Sequence, residues 1–178
     1  IRGALKYITD AGIPSKSVVL MGKGYGCYPC LRLAKAEGQK IAGVVLNSPA
    51  TSFLRANVAS TAAWLLSLTD MLVTTDLAKE VAAPSFVIHG KLNDKIEEWH
   101  GREIHSILPN AAEPWFPEGK GHYDIFSSDL VVHLKPFFPG LPPVEREPAP
   151  PAAAAVSEPA LPPPESEPEI PPPESEPE

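Results

Sequence analysis

A strand-like run, Ser17-Val18-Val19-Leu20-Met21, leads into Gly22-Lys23-Gly24-Tyr25-Gly26, and Cys27 to Ala36 continues with a helical pattern. Three glycines at alternate positions between a buried strand and a helix leave the chain one economical solution, a sharp turn. Such a turn lifts its middle residue into a strained position above the C-terminal edge of a sheet, where that side chain can attack a bound molecule. The middle residue here is Gly24. It has no hydroxyl, thiol or carboxylate, so the turn predicts a reactive architecture whose attacking group is missing.

The remainder of the chain alternates strand and helix. Helix is predicted at 2–11, strand at 17–21, helix at 28–37 and strand at 42–46, with a mostly helical 50–80 region. Strand follows at 84–89, helix at 97–107, strand at 112–116 and a last helix near 124–137. This alternation predicts an α/β fold with a parallel sheet. Ligands bind such sheets at the C-terminal ends of the strands.

Several blocks fall in a telling order. Leu46-Asn47-Ser48-Pro49 closes the strand after the glycine turn, and Ser85-Phe86-Val87-Ile88-His89-Gly90 precedes Lys91-Leu92-Asn93-Asp94. Glu113-Pro114-Trp115-Phe116 then leads to Glu118-Gly119-Lys120-Gly121-His122-Tyr123-Asp124. Across residues 1–138 this order resembles the α/β-hydrolase-domain serine hydrolases that remove palmitate from proteins. The resemblance implies the C-terminal part of an α/β-hydrolase domain, a mostly parallel sheet flanked by helices. It places Gly24 at the nucleophile position, Asn93 or Asp94 at the acid position and His122 at the base position, and predicts that Gly24, Asn93 and His122 converge at the C-terminal ends of the strands. The backbone N–H of Tyr25 takes the place of one oxyanion donor. The second donor of that fold comes from an earlier loop, which is expected either in a longer form of the protein or from a partner.

An amide at position 93 cannot stabilise an imidazolium as a carboxylate does. Loss of a triad nucleophile costs on the order of a million-fold in turnover, leaving roughly 10³–10⁴ over water. The expectation is therefore a non-catalytic hydrolase-fold protein, a structural or binding subunit with a protein partner or larger complex. A small acyl or other apolar ligand is a further candidate. Two alternatives stand beside it: an active thioesterase or esterase, and a redox module built on Cys27-Tyr28-Pro29-Cys30. A C-x-x-C at a helix start lowers a thiol pKa, whereas a helix first turn also accommodates Pro29 for purely structural reasons. Cys27 is the nearest substitute nucleophile in sequence, but three residues past the turn it should point away from His122.

Composition excludes other classes. Residues 1–143 carry 14 Lys and Arg against 13 Asp and Glu, so no basic cluster suggests nucleic acid. No run reaches the roughly 18 apolar residues of a membrane span, and no signal peptide is visible, which favours an intracellular location. Two cysteines without a second pair fall short of a zinc site, and no cofactor is expected. His89 reads as a strand-end structural residue, and His100, His105 and His133 read as helix-surface residues. Trp64, Trp99 and Trp115 read as core or cap packing, and Lys23 as a solvated lysine or part of an electropositive mouth.

From residue 139 the composition changes. Fifteen of the 23 prolines lie in residues 139–178, which hold no aromatic residue, and residues 144–178 carry nine Glu against one Arg. Such a segment buries too little apolar surface to fold alone, so 139–178 reads as a disordered acidic Pro-rich tail. Leu161 and Ile170 each precede Pro-Pro-Pro-Glu-Ser-Glu-Pro-Glu, a nine-residue repeat. A polyproline II helix has about three residues per turn, which sets both apolar residues on one face. The tail is either a docking rod for a basic groove or a solubilising spacer, and Ser157, Ser166 and Ser175 are candidate phosphorylation sites.

Overall fold

The computed structural model describes residues 1–58, 70–125 and 127–137, all within the unit Ile1–Val144. Trp64 and the whole of the 139–178 tail, with its repeat and serines, lie outside the described residues.

Helix α1 (Arg2–Asp10) and a single 3₁₀ turn (Ser15–Ser17) precede strand β1 (Val19–Lys23). A second 3₁₀ turn, Gly24–Gly26, joins β1 to α2 (Cys27–Glu37), and β2 (Gly43–Asn47) follows. Two short helices, α3 (Phe53–Asn57) and α4 (Thr74–Ala78), lead to β3 (Ser85–Ile88), α5 (Glu98–Ile107) and α6 (Ser127–Phe137). The strands pair in parallel in the order β1-β2-β3, with Leu20 opposite Val44 and Val44 opposite Ser85.

Every residue of β2 and β3 is buried, as expected for parallel strands covered by helices on both faces. One core layer holds Leu20, Leu31, Val44, Leu46, Val87 and Ile104, drawn from β1, β2, β3, α2 and α5. The opposite layer holds Val45, Phe86, Ile88, Ile125 and Leu130, with Leu134 and Phe137 of α6 packed against it. Each of these side chains contributes about 1.5–3 kcal/mol when fully buried. In β1 burial alternates, and Met21 is half exposed.

Two expectations need correction. The first strand starts and ends two residues later than predicted, because the Ser17 and Val18 amides close turns onto the Pro14 and Ser15 carbonyls. Gly22 and Lys23 therefore pair with Leu46 and Asn47. The segment predicted as a strand at 112–116 makes only isolated parallel bridges, Ala111 with Ser85 and Trp115 with Ile88. Pro114 has no N–H to continue the ladder. In the 50–80 region the helices among the described residues are α3 and α4, five residues each, and the rest of the predicted helical stretch, 59–69, lies outside the described residues. The Thr74 amide donates to the Thr51 carbonyl at 2.8 Å, and Ser52 caps α3 by accepting from the Arg55 amide at 3.1 Å.

No helix among the described residues is long and apolar enough to cross a membrane. The turn after β1 depends on one glycine above the others. A Cβ at Gly22 would stand 2.6 Å from the Gly26 carbonyl oxygen and 2.7 Å from the Cys27 Cα, both backbone atoms. Gly26 itself has open space around it and an ordinary helical φ of −62°. Gly22→Ala should cost about 1–3 kcal/mol of stability, and Gly26→Ala almost nothing, as read from urea unfolding of the two variants.

Candidate functional site

Gly24 leaves β1 with φ +54°, a left-handed conformation that strains any residue bearing a Cβ. The backbone keeps the conformation that presents an apex side chain, although none is there. A Cβ built at Gly24 would lie 3.6 Å from His122 Cε1, 3.7 Å from His122 Nε2 and 3.7 Å from Ile96 Cδ1. These are ordinary van der Waals separations. The missing side chain would point directly at the imidazole.

His122 is brought there by two loops pressed together. The Leu92 amide donates to the Lys120 carbonyl at 2.9 Å, and Lys91 N–H to the Pro117 carbonyl at 3.2 Å. A Cβ at Gly90 would collide with the Lys120 carbonyl oxygen, so only glycine permits this approach. Asp124 accepts from the Gly121 amide at 2.8 Å and closes the turn around His122.

Asn93, buried at the tip of the loop after β3, meets the other edge of the ring. Its Nδ2 lies 3.0 Å and its Oδ1 3.2 Å from His122 Nδ1. Oδ1 also accepts from the backbone amides of Ile96 at 3.0 Å and Lys95 at 3.1 Å. Asp94 stands apart, exposed, with its carboxylate on Lys95 Nζ at 3.0 Å. Of the two acid-position candidates, only Asn93 touches the ring. Gly24, Asn93 and His122 thus meet in one place.

Burial holds the His122 pKa below the usual imidazole range, with the nearby Lys23 ammonium lowering it further and Asp94 working against both. Lys23 is half-buried with its ammonium 4.8 Å from the Tyr123 ring centroid, so the reading of a freely solvated lysine is replaced by a cation–π contact. Tyr25 is half-buried in the turn, its ring 5.4 Å from Phe53. The Asn57 side-chain amide donates to its hydroxyl.

Sequence reasoning missed the role of His100. Expected on a helix surface, it is 2 % exposed. Its Nδ1 receives the Thr51 hydroxyl at 2.8 Å and lies 3.3 Å from the Thr51 amide, fixing the buried chain that leaves β2. Trp99 stacks on it at 3.6 Å between centroids. That tryptophan is itself exposed, with the Arg55 guanidinium over its ring at 4.8 Å, so it covers the surface instead of filling the core. Arg55 in turn forms a bidentate pair with Glu103 at 2.7 and 2.9 Å. The polar partner Thr51, 49 residues away in the chain, is the signal that sequence could not supply.

His105 is also not fully on the surface: it is half-buried with Nε2 3.1 Å from the Ala112 carbonyl. His133 is exposed as expected and stacks on the half-buried Trp115 at 3.9 Å. His89 is fully buried at the end of β3, with Nε2 2.7 Å from the Ile96 carbonyl.

Cys27 and Cys30 are free and buried. Desolvation pushes both thiols up, Cys27 strongly, which overturns the expected depression at the helix start. Cys27 Sγ donates to the Asn47 carbonyl at 3.6 Å within the core. A protonated, buried thiol is a poor nucleophile. Among the described residues no cluster of three or more His, Cys, Asp or Glu could hold a metal ion.

The parallel sheet, the helices on both faces and the turn after β1 define the fold as part of an α/β hydrolase. Solved structures agree. The chain superposes on MGS-MChE2, an α/β hydrolase enzyme from a Moroccan lagoon-sediment metagenome, with TM-score 0.57 at 15 % identity, covering 78 % of this chain and 67 % of that one. The esterase RhEst1 from Rhodococcus gives TM-score 0.53 at 16 % identity, covering 76 % and 70 %.

By sequence, the chain is homologous to curated proteins named alpha/beta hydrolase domain-containing proteins. It is 31 % identical over 118 residues to aho-3 of Caenorhabditis elegans, covering 66 % of this chain and 34 % of that protein. To the human protein 17C it is 32 % identical over 130 residues, covering 72 % and 38 %. The chain therefore spans between a third and two fifths of the length of these relatives. No family model matches it.

The buried histidines make stability pH-dependent. Burial first, and then the Arg55 charge and His89, lower the His100 pKa to about 4, with Glu103 opposing. An unfolded histidine titrates near 6.5, so on acidification the unfolded chain takes up the proton first. The stability linked to His100 is complete above about 6.5 and is lost as pH falls toward about 4, by roughly 2–3 kcal/mol. His89 and His122 shift in the same direction. Urea midpoints recorded across this window should fall with pH, and His100→Asn, whose amide oxygen can still accept from Thr51, should flatten the slope.

Proposed function

We propose that the chain is a non-catalytic hydrolase-fold protein, a pseudoenzyme that serves as a binding or structural subunit. In this reading residues 1–138 are the C-terminal part of an α/β-hydrolase-like domain and residues 139–178 an acidic Pro-rich tail. Gly24 occupies the nucleophile position, Asn93 the acid position and His122 the base position, with the Tyr25 backbone N–H as an oxyanion donor. The ancestral activity inferred from the resemblance is hydrolysis of an ester or thioester, as in protein depalmitoylation.

The single observation that carries this reading is the empty position at Gly24. Its backbone retains the strained φ of +54°, and its absent Cβ would face His122 at 3.6–3.7 Å. A base directed at an atom that is not there cannot generate a nucleophile. Neither cysteine substitutes for it, since both are buried and held protonated. The Asn93 amide is a second lesion. Such a fold remains useful through its surfaces and its loop cluster, so the proposed partners are a protein assembly and a small acyl or apolar ligand.

Labelling with a fluorophosphonate probe tests the proposal. The native sequence should stay unlabelled. A Gly24→Ser, Asn93→Asp variant in the same sequence context should label, because a serine Oγ at this φ falls within reach of His122 Nε2. Labelling of the native sequence that disappears in His122→Ala would sink the proposal.

A further inference from the structure

The protonation of His122 follows from the hydrogen bonds around Asn93. Asn93 Oδ1 accepts two backbone amides, those of Lys95 at 3.1 Å and Ile96 at 3.0 Å. Rotating the side-chain amide by half a turn would set its NH₂ against both donors, so the orientation is fixed. Nδ2 then faces His122 Nδ1 at 3.0 Å and His89 Nε2 at 3.3 Å. His89 Nε2 lies 2.7 Å from the Ile96 carbonyl oxygen. A carbonyl only accepts, so that nitrogen carries hydrogen and cannot receive the amide. Asn93 Oδ1 also lies 3.2 Å from His122 Nδ1, but its two lone pairs are taken by the backbone amides, so the Asn93 N–H is left with one acceptor, the Nδ1 lone pair of His122.

A neutral imidazole that accepts at Nδ1 carries its hydrogen on Nε2. A carboxylate at position 93 would do the opposite, taking a hydrogen bond from Nδ1–H and leaving Nε2 as a base. With Asn93 the ring presents a donor on the Cε1–Nε2 edge, the edge that lines the position vacated at Gly24. Ile96 Cδ1 forms an apolar wall on another side. The charged groups acting on the ring are the Lys23 and Lys95 ammoniums and the Asp94 carboxylate, an excess of one positive charge.

We propose that the vacated position at Gly24 is a binding site for a small carboxylic acid, whose carboxylate accepts a hydrogen bond from His122 Nε2–H while Asn93 holds the ring in that tautomer. The inference rests on the non-catalytic reading above and specifies the ligand chemistry of the same site. The replaced acid thereby has a consequence beyond lost activity: it turns the base of a hydrolase into a hydrogen-bond donor. A cation is disfavoured by both the N–H and the surrounding charge.

Long-range ¹H–¹⁵N NMR of histidine-labelled protein at about pH 8, above the ordinary histidine range, reads the tautomer directly. His122 should show hydrogen on Nε2 in the native sequence and on Nδ1 in Asn93→Asp. Titration with hexanoate should move the His122 Nε2 resonance saturably, whereas n-hexylammonium should not. Gly24→Ala, which fills the position, and His122→Phe, which removes the donor, should each weaken hexanoate binding by roughly tenfold or more. Binding by His122→Phe is read from ligand-detected NMR, and thermal melts confirm that both variants fold. Hydrogen on Nδ1 in the native protein, no saturable response to hexanoate, or an equal response to hexylammonium would each overturn the inference. Fluorophosphonate labelling separates the two claims. A native protein that neither labels nor binds hexanoate refutes only the ligand assignment, whereas a native protein that labels refutes the non-catalytic reading itself.

Discussion

The close approach of the loop after β3 to the loop carrying His122 is the contact on which the site depends. Parallel strands deliver their loops to one edge of the sheet, but delivery alone leaves side chains several ångströms apart. The Leu92 amide on the Lys120 carbonyl, together with the lack of a Cβ at Gly90, brings the two backbones into direct contact. Asn93 and His122 ride on opposite sides of that contact and meet at 3.0 Å. Below them β2 and β3, buried at every position, provide a base that does not yield.

Around this contact the loops bring Gly24, Asn93 and His122 together. The turn at Gly24 holds a left-handed φ without a side chain that would make the strain useful, and glycine relieves most of that strain. Around position 93 two backbone amides donate to the Asn93 oxygen, while the His89 Nε2–H is taken by the Ile96 carbonyl.

Much of the architecture was legible from local pattern. The glycine turn between an apolar run and a helix located β1, α2 and the apex at Gly24. The strand ending in His89-Gly90 and the loop Gly119-Lys120-Gly121-His122 located the other two members. What failed did so for identifiable reasons. Turns at Pro14 and Ser15 shifted β1 by two residues, and Pro114 broke the last strand into bridges. His100 was misread because a helix-borne histidine looks alike from sequence whether it faces water or a buried threonine. For the cysteine pair the redox module was only an alternative to a structural reading: a helix start favours a thiolate only where solvent can share the charge, and here desolvation dominates.

The sequence by itself determined the elements, their parallel arrangement and the glycine at the apex of the turn after β1, because glycine spacing and apolar runs act over a few residues and a glycine lacks a side chain in any fold. Tertiary structure alone decided which of Asn93 and Asp94 meets His122, since that choice depends on one loop being pressed against another nearly thirty residues away. It also decided the direction of the hydrogen bond between them. The amides of Lys95 and Ile96 claim the Asn93 oxygen, so its nitrogen must donate to the ring, and hydrogen-bond polarity of this kind exists only once the chain has folded.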